Sequence, residues 1–284
     1  MGIEKSRPVL ITGCSTGIGR ATAERLADDG WNVHATARRP ESIEDLAKRG
    51  CTTHALDVTD ERSMEAAVAE VESDGPIGAL VNNAGYSQSG AIETIPMDSV
   101  RRQFETNVFG LMRMCQLVLP SMRSTGSGRI VNLSSMGGKL TFPGGGVYHA
   151  TKHAVEALSD ALRFEVHGFG IDVVVIEPGL IVTEFGETAA GSIDQADEHG
   201  PYAEFNAQVA RVTASAYTGP MARLGAGPEA VARKISKALT ANRPNTRYKV
   251  TPSARLVMGM RRLMTDRMWD RAVRSQYPPP RPHP

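Results

Sequence analysis

The chain has 284 residues, 41% hydrophobic and 22% charged, enough apolar material for one large core or two small ones. Its 32 basic and 31 acidic side chains give a formal charge of +1, so no overall field favours nucleic acid or an anionic membrane as partner. Cys14, Cys51 and Cys115 lack Cys-x-x-Cys spacing, and this fits free structural thiols in reducing surroundings rather than a disulfide framework or a metal site. The N-terminus enters a strand-like run almost at once, and no apolar run approaches the ~18 residues of a membrane span, so a cytoplasmic protein is expected.

Pro8 to Thr12 is a continuous apolar run suited to a strand buried on both faces. Gly13-Cys14-Ser15-Thr16-Gly17-Ile18-Gly19 follows and opens into a helical pattern from Arg20 to Ala27. Glycines let backbone approach a pyrophosphate closely, and the free N–H groups at a helix start favour its charge, so this loop is a candidate dinucleotide site. The second strand, Asn32 to Ala37, ends about 18 residues beyond Gly19, where a residue facing the adenosine ribose is expected. Ala37 stands there, followed by Arg38-Arg39. An acid would bind the 2′-hydroxyl of NAD, whereas a guanidinium suits the 2′-phosphate of NADP, so NADP(H) is favoured with Arg38 as the main contact.

The rhythm repeats through a strand at Thr52 to Val58, a helix from Glu61 to Val71 and a strand at Ala79 to Asn83. Alternating strands and helices predict a parallel, doubly wound α/β sheet. Ligands lie at the carboxyl ends of such strands, which makes Asp57, Val58 and the segment Asn82-Asn83-Ala84-Gly85 candidate cofactor contacts. For Asp57 a plain helix N-terminal carboxylate is the alternative. A long helical pattern from Met97 to Leu119, closed by Pro120, carries Asn107, an awkward residue inside a helix because its amide competes for backbone hydrogen bonds. Arg129 to Ser135 reads as a fifth strand ending in hydroxyls.

Tyr148 and Lys152 stand four apart at the start of a helical pattern, thirteen residues and more after Ser135, and so share one face. A neighbouring ammonium favours the phenolate, which predicts a Tyr148 pKa below its ordinary ~10 and a usable general acid or base. Ile171 to Glu177 and Arg247 to Thr251 complete a set of seven strands, with a helix from Pro228 to Thr240 between them.

With these motifs in register, the sequence resembles the short-chain dehydrogenase/reductase family from about Pro8 to Thr183. The carriers are Thr12 to Gly19 for Thr-Gly-x-x-x-Gly-Ile-Gly, Asn82 to Gly85 for Asn-Asn-Ala-Gly, and Tyr148 to Lys152 for Tyr-x-x-x-Lys, with Ser135 at the family's distance. The resemblance implies a single-domain Rossmann-like fold with helices on both faces, and hydride transfer between nicotinamide and a carbonyl or carbinol carbon. Tyr148 would exchange the proton, Ser135 hold the oxygen, Lys152 tune the phenol and grip the nicotinamide ribose, and Asn107 position a water leading to Lys152. Pro178-Gly179 and Thr183 would lie beside the nicotinamide. A homo-dimer or homo-tetramer is implied, and a non-catalytic dinucleotide sensor on the same fold is the alternative.

Residues 183–221 change character and form the expected substrate lid. There Phe185, Tyr202, Phe205, Tyr217 and Met221 either wall a pocket for a steroid-, retinoid- or lipid-like substrate or pack the lid onto the body. A C-terminal extension over 252–276 places Leu256, Met260, Leu263, Met264 and Met268 at helical spacing among arginines. Such a stripe more often packs on its own protein or an oligomer mate than on an anionic membrane. The proline-rich residues 277–284 are expected to be disordered.

Overall fold

In the computed structural model, which describes residues 2–183 and 200–277, the apolar runs Val9–Ile11, Val33–Ala37, Ala79–Asn82, Gly128–Leu133 and Ile171–Glu177 become inner strands covered on both sides, while the edge strands Thr52–Ala55 and Arg247–Lys249 are partly exposed. In chain order the elements are β1 (Val9–Ile11), α1 (Gly17–Asp28), β2 (Val33–Ala37), α2 (Glu44–Ala47), β3 (Thr52–Ala55), α3 (Glu61–Glu72), β4 (Ala79–Asn82) and α4 (Met97–Phe104). There follow α5 (Leu111–Ser124), β5 (Gly128–Leu133), α6 (Gly146–Val166), β6 (Ile171–Glu177), α7 (Ala203–Thr218), α8 (Pro228–Thr240), β7 (Arg247–Lys249), α9 (Pro252–Leu263) and α10 (Asp266–Arg274).

The seven strands form one parallel sheet in the order β3-β2-β1-β4-β5-β6-β7, as the alternation of elements predicts. Its two faces carry separate cores. On one, Leu26 of α1 and Val231, Ile235 and Leu239 of α8 pack over Val9, Ile11 and Val131. On the other, Met64 and Val68 of α3, Met114 and Val118 of α5 and Val155 of α6 cover Leu10, Leu80 and Ile130. Strand order reverses between β1 and β4, so the loops after those strands splay apart at their carboxyl ends and leave a crevice.

Two helical readings need correction. The pattern from Met97 to Leu119 is interrupted at Glu105–Gly110, where the helix widens into a π turn, and it runs through Pro120 to Ser124. Pro120 lies on the exposed side, where the carbonyl that a proline leaves unpaired is open to solvent, so the ring does not end the helix. The C-terminal extension is two helices rather than one. Thr265 breaks the pattern by accepting the Met268 N–H and starting α10. Ala254 and Met258 of α9 seat on Leu140, with Met136, Phe142 and Trp269 around them. Phe185 and residues 278–284 lie outside the described residues.

Candidate active site

A cavity of about 1250 Å³ occupies the crevice and runs from the loop after β1 to α9 and α10. At one end it is lined by Gly13, Ser15, Thr16, Gly17, Ile18, Arg38, Asp57, Val58, Asn83, Ala84 and Gly85, and further along by Ser135, Tyr148, Lys152, Pro178, Gly179 and Thr183. Gly13 and Gly17 take left-handed backbone conformations, with φ of 73° and 57°, which glycine adopts without strain. Gly19 is needed for a different reason and does not line the cavity. A Cβ there would collide with the Gly13 carbonyl and the Asn83 amide, which is how the loop folds tightly onto β4.

The Asn83 side chain is committed to that scaffold, since its Nδ2 donates to the carbonyls of Thr12 and Gly13, each at 2.9 Å. Asp57 is not a helix cap. Its Oδ1 accepts the Thr59 N–H and hydroxyl at 2.9 and 2.7 Å, and Asp60 caps α3 instead. Arg38 is exposed directly after Ala37 and makes no ion pair among the described residues. Arg20, by contrast, is held by Asp45 at 2.6 Å. An exposed basic group thus stands at the end of β2 with no acid at the preceding position, a donor set chemically compatible with a phosphate.

Deeper in, Tyr148 and Lys152 project from one face of α6, and Ser135 arrives from the end of β5. The Ser135 hydroxyl accepts the Gly137 N–H at 3.0 Å and shares a hydrogen bond with the Tyr148 phenol. Lys152 is buried, and its Nζ donates to the Leu133 carbonyl at 2.7 Å and stands 5.8 Å from the Tyr148 ring centre. The expected lowering of the phenol pKa is not what the protein alone provides. Burial pushes Tyr148 well above its ordinary value, the Ser135 hydrogen bond opposing it only in part. Lys152 is itself pulled down to about 8 by burial, against the pull of Glu156 one turn on. That carboxylate is shared by Lys139 at 2.8 Å and Arg247 at 2.9 Å.

Asn107 reaches the site indirectly. The π turn points its amide at the loop after β4, where Nδ2 donates to the Tyr86 carbonyl at 2.9 Å and to Thr151 Oγ1 at 3.1 Å, and Oδ1 accepts the Tyr86 N–H at 3.1 Å. It does not line the cavity. Gly85 is the thin wall between them, since a Cβ there would lie 3.1 Å from Asn107 Oδ1 and 3.8 Å from Lys152 Nζ. Thr151, which also bonds the Tyr148 carbonyl at 2.7 Å, was not singled out by sequence reasoning; a mid-helix threonine carries no distinguishing signal.

Beyond Tyr148 the walls turn apolar. Phe142, Val209, Tyr217, Met221, Val257 and Trp269 line this end. Of the expected lid residues, Tyr217 and Met221 reach the cavity. Tyr202 instead bonds Glu93 at 2.7 Å and packs on Phe205, beside a neighbouring pocket. His149 is buried under the loop after β5 and accepts the Phe142 N–H at 3.2 Å; burial pulls it down to about 4 and keeps it neutral. The three cysteines are all buried, with Cys14 and Cys115 pushed up to about 12, so none is a nucleophile at neutral pH.

A family model described as short chain dehydrogenase matches residues 7–192, across the whole groove and the Ser135, Tyr148 and Lys152 cluster. The chain belongs to the short-chain dehydrogenase family. Among curated relatives, the NADPH-dependent 3-dehydrocapnine reductase of Ornithobacterium rhinotracheale is 34% identical over 276 residues, covering 93% of this chain and 95% of that protein. The 3-ketodihydrosphingosine reductase of Bacteroides thetaiotaomicron is also 34% identical, over 271 residues, covering 95% and 97%. A solved short-chain dehydrogenase from Streptomyces avermitilis superposes with a TM-score of 0.77 at 33% identity, covering 95% of this chain and 98% of that one. The chain is accordingly an oxidoreductase built on a dinucleotide-binding fold.

Proposed function

We propose that the protein is an NADP(H)-dependent reductase or dehydrogenase acting on the ketone, aldehyde or secondary alcohol of a hydrophobic, lipid-like molecule. The observation that carries this reading is one continuous cavity in which the Ser135 and Tyr148 hydroxyls stand between a dinucleotide groove and an apolar chamber. Two relatives of similar length are named as reductases of 3-dehydrocapnine and of 3-ketodihydrosphingosine, and the first of these names specifies NADPH.

The glycine loop and the start of α1 would hold the pyrophosphate, Arg38 the 2′-phosphate, and Pro178, Gly179 and Thr183 would flank the nicotinamide. The dinucleotide supplies or accepts the hydride. For reduction, burial keeps Tyr148 in its neutral, proton-donating form, so its hydroxyl delivers a proton to the substrate oxygen while Ser135 holds that oxygen by a hydrogen bond. Lys152, anchored by the Leu133 carbonyl, stabilises the phenolate left behind. Asn107 fixes the Tyr86 backbone and Thr151 and so positions the loop facing Lys152. In oxidation the same groups act in reverse.

The test is NADPH consumption by purified protein with a homologous series of ketones. Efficiency should rise with chain length, by up to about 0.8 kcal/mol per buried methylene, until the chamber is filled. Turnover of short polar ketones alone would refute the lipid-like substrate, and no turnover in either direction, with NADPH nonetheless bound, would favour the dinucleotide sensor.

A further inference from the structure

We infer that the outer face of α9 and α10 docks on an anionic lipid surface and that the apolar chamber opens there, so that substrate enters from the membrane. The inference deepens the function proposed above by naming where the substrate comes from. Sequence periodicity alone favoured packing of this stripe against the protein's own body, and the structure divides it. Ala254 and Met258 do seat inward, while Leu256, Met260, Leu263 and Met268 remain 49%, 47%, 87% and 51% exposed. Leu256, Met260 and Leu263 follow the spacing of one helix face, which makes a continuous apolar ridge along α9.

Two of those ridge residues have a second role. Leu256 and Met260 also line the cavity, so wall and outer surface meet in the same side chains, and the chamber has its mouth at the ridge. The far wall of that mouth is Trp269 and Val273 of α10, a helix with no buried residue. An apolar ligand passing there would move from one greasy surface to another without crossing water.

Charge selects the occupant. Residues 252–277 hold six arginines against two aspartates, a net +4 in a chain whose total is +1. Arg261 is taken by Asp266. Arg255, Arg262, Arg267, Arg271 and Arg274 are exposed and make no ion pair among the described residues. On the helical wheel, Arg255 and Arg262 fall to one side of the α9 ridge, and Arg267, Arg271 and Arg274 to one side of Met268. An apolar ridge flanked by unpaired guanidinium groups matches the acyl boundary and anionic headgroups of a bilayer surface. Among the described residues no helix is long and apolar enough to cross a membrane, and the contact proposed here lies in the interface plane.

Flotation of the full chain with vesicles of phosphatidylcholine, with and without phosphatidylglycerol, tests this without any turnover, so a failure here leaves the proposed chemistry standing and the reverse also holds. Binding should require the anionic lipid and weaken with salt. Arg262→Gln with Arg267→Gln should lose about 30-fold in vesicle affinity, about fivefold per arginine. Leu263→Ser should weaken binding too, and both variants should keep wild-type turnover of a soluble ketone as proof of folding. Equal binding to neutral and anionic vesicles, no binding, or variants that bind like wild type would overturn the proposal. So would a variant whose mass in light scattering falls while the wild type is oligomeric, because the ridge would then be an interface with a second copy of this chain.

Discussion

Replacing Arg38 by Asp should convert the protein from NADPH to NADH preference. Arg38 is exposed at the end of β2 and makes no ion pair among the described residues, so its guanidinium is available to a 2′-phosphate at no cost in lost contacts. A hydrogen bond to a charged group is worth about 1.5–3 kcal/mol, which corresponds to roughly 10- to 150-fold in binding. Charge reversal removes that attraction, sets a carboxylate against the phosphate and offers NADH an acceptor for its ribose hydroxyl. The ratio of kcat/KM for NADPH over NADH should therefore fall by about 100-fold or more at low salt, and by less at high salt, because an exposed pair is screened. Parallel steady-state measurements with the two cofactors give the ratio directly. If it does not move, Arg38 is a solvated strand-end residue and the phosphate is held elsewhere.

Two further outcomes follow from buried charges. Lys152 is charged below about 8 and neutral above it, so reduction should lose its support as pH rises through that value, with an alkaline limb in kcat that comes before any titration of Tyr148. A rate that stays flat well above that pH would remove Lys152 from the proton-transfer step. Glu177 is fully buried and has no hydrogen bond to either carboxylate oxygen, and burial, then Glu156, push it up to about 6 despite the Arg247 Nε that stands 3.4 Å from its Oε1. A carboxylate raised above its ordinary 4.5 disfavours the fold wherever it is ionised, so the penalty is complete above about 6 and fades as pH falls toward 4.5. Glu177→Gln should then add up to about 2 kcal/mol of stability at pH 8 and progressively less below 6 in denaturant titrations. A pH-independent difference would show that the gain lies in packing and not in charge.

The sheet was legible because most of its strands are short apolar runs, and the polar edge strands β3 and β7 continue the same alternation with helices. Gly13, Gly17 and Gly19 announce a tight turn, and the helices read from Glu61 to Val71 and from Pro228 to Thr240 are those that cover opposite faces of the sheet. Spacing put Tyr148 and Lys152 on one helix face, but it took the family resemblance to single out that pair and to join Ser135 to it. What spacing cannot carry is environment. The phenol pKa depends on how completely other elements enclose Tyr148, and the Leu133 carbonyl that anchors Lys152 comes from a strand nineteen residues upstream. The π turn at Asn107 was hidden for a similar reason. It follows from packing of Gly110 against Val58 and of Asn107 against Tyr86 and Thr151, none of which is periodic in sequence. Thr265 gave a fair cap signal that the regular methionine and leucine spacing around it concealed, and with it went the chance to see Trp269 as a cavity wall.

The claim that Tyr148 exchanges the proton is tested most directly by Tyr148→Phe, which keeps the ring and removes only the hydroxyl bonded to Ser135. NADPH binding, measured by calorimetry, should remain near the wild-type value. Turnover of a hydrophobic ketone should fall by about 10²- to 10⁴-fold, the usual worth of a positioned general acid. A Phe variant that binds NADPH and reduces the ketone at the wild-type rate would contradict the account.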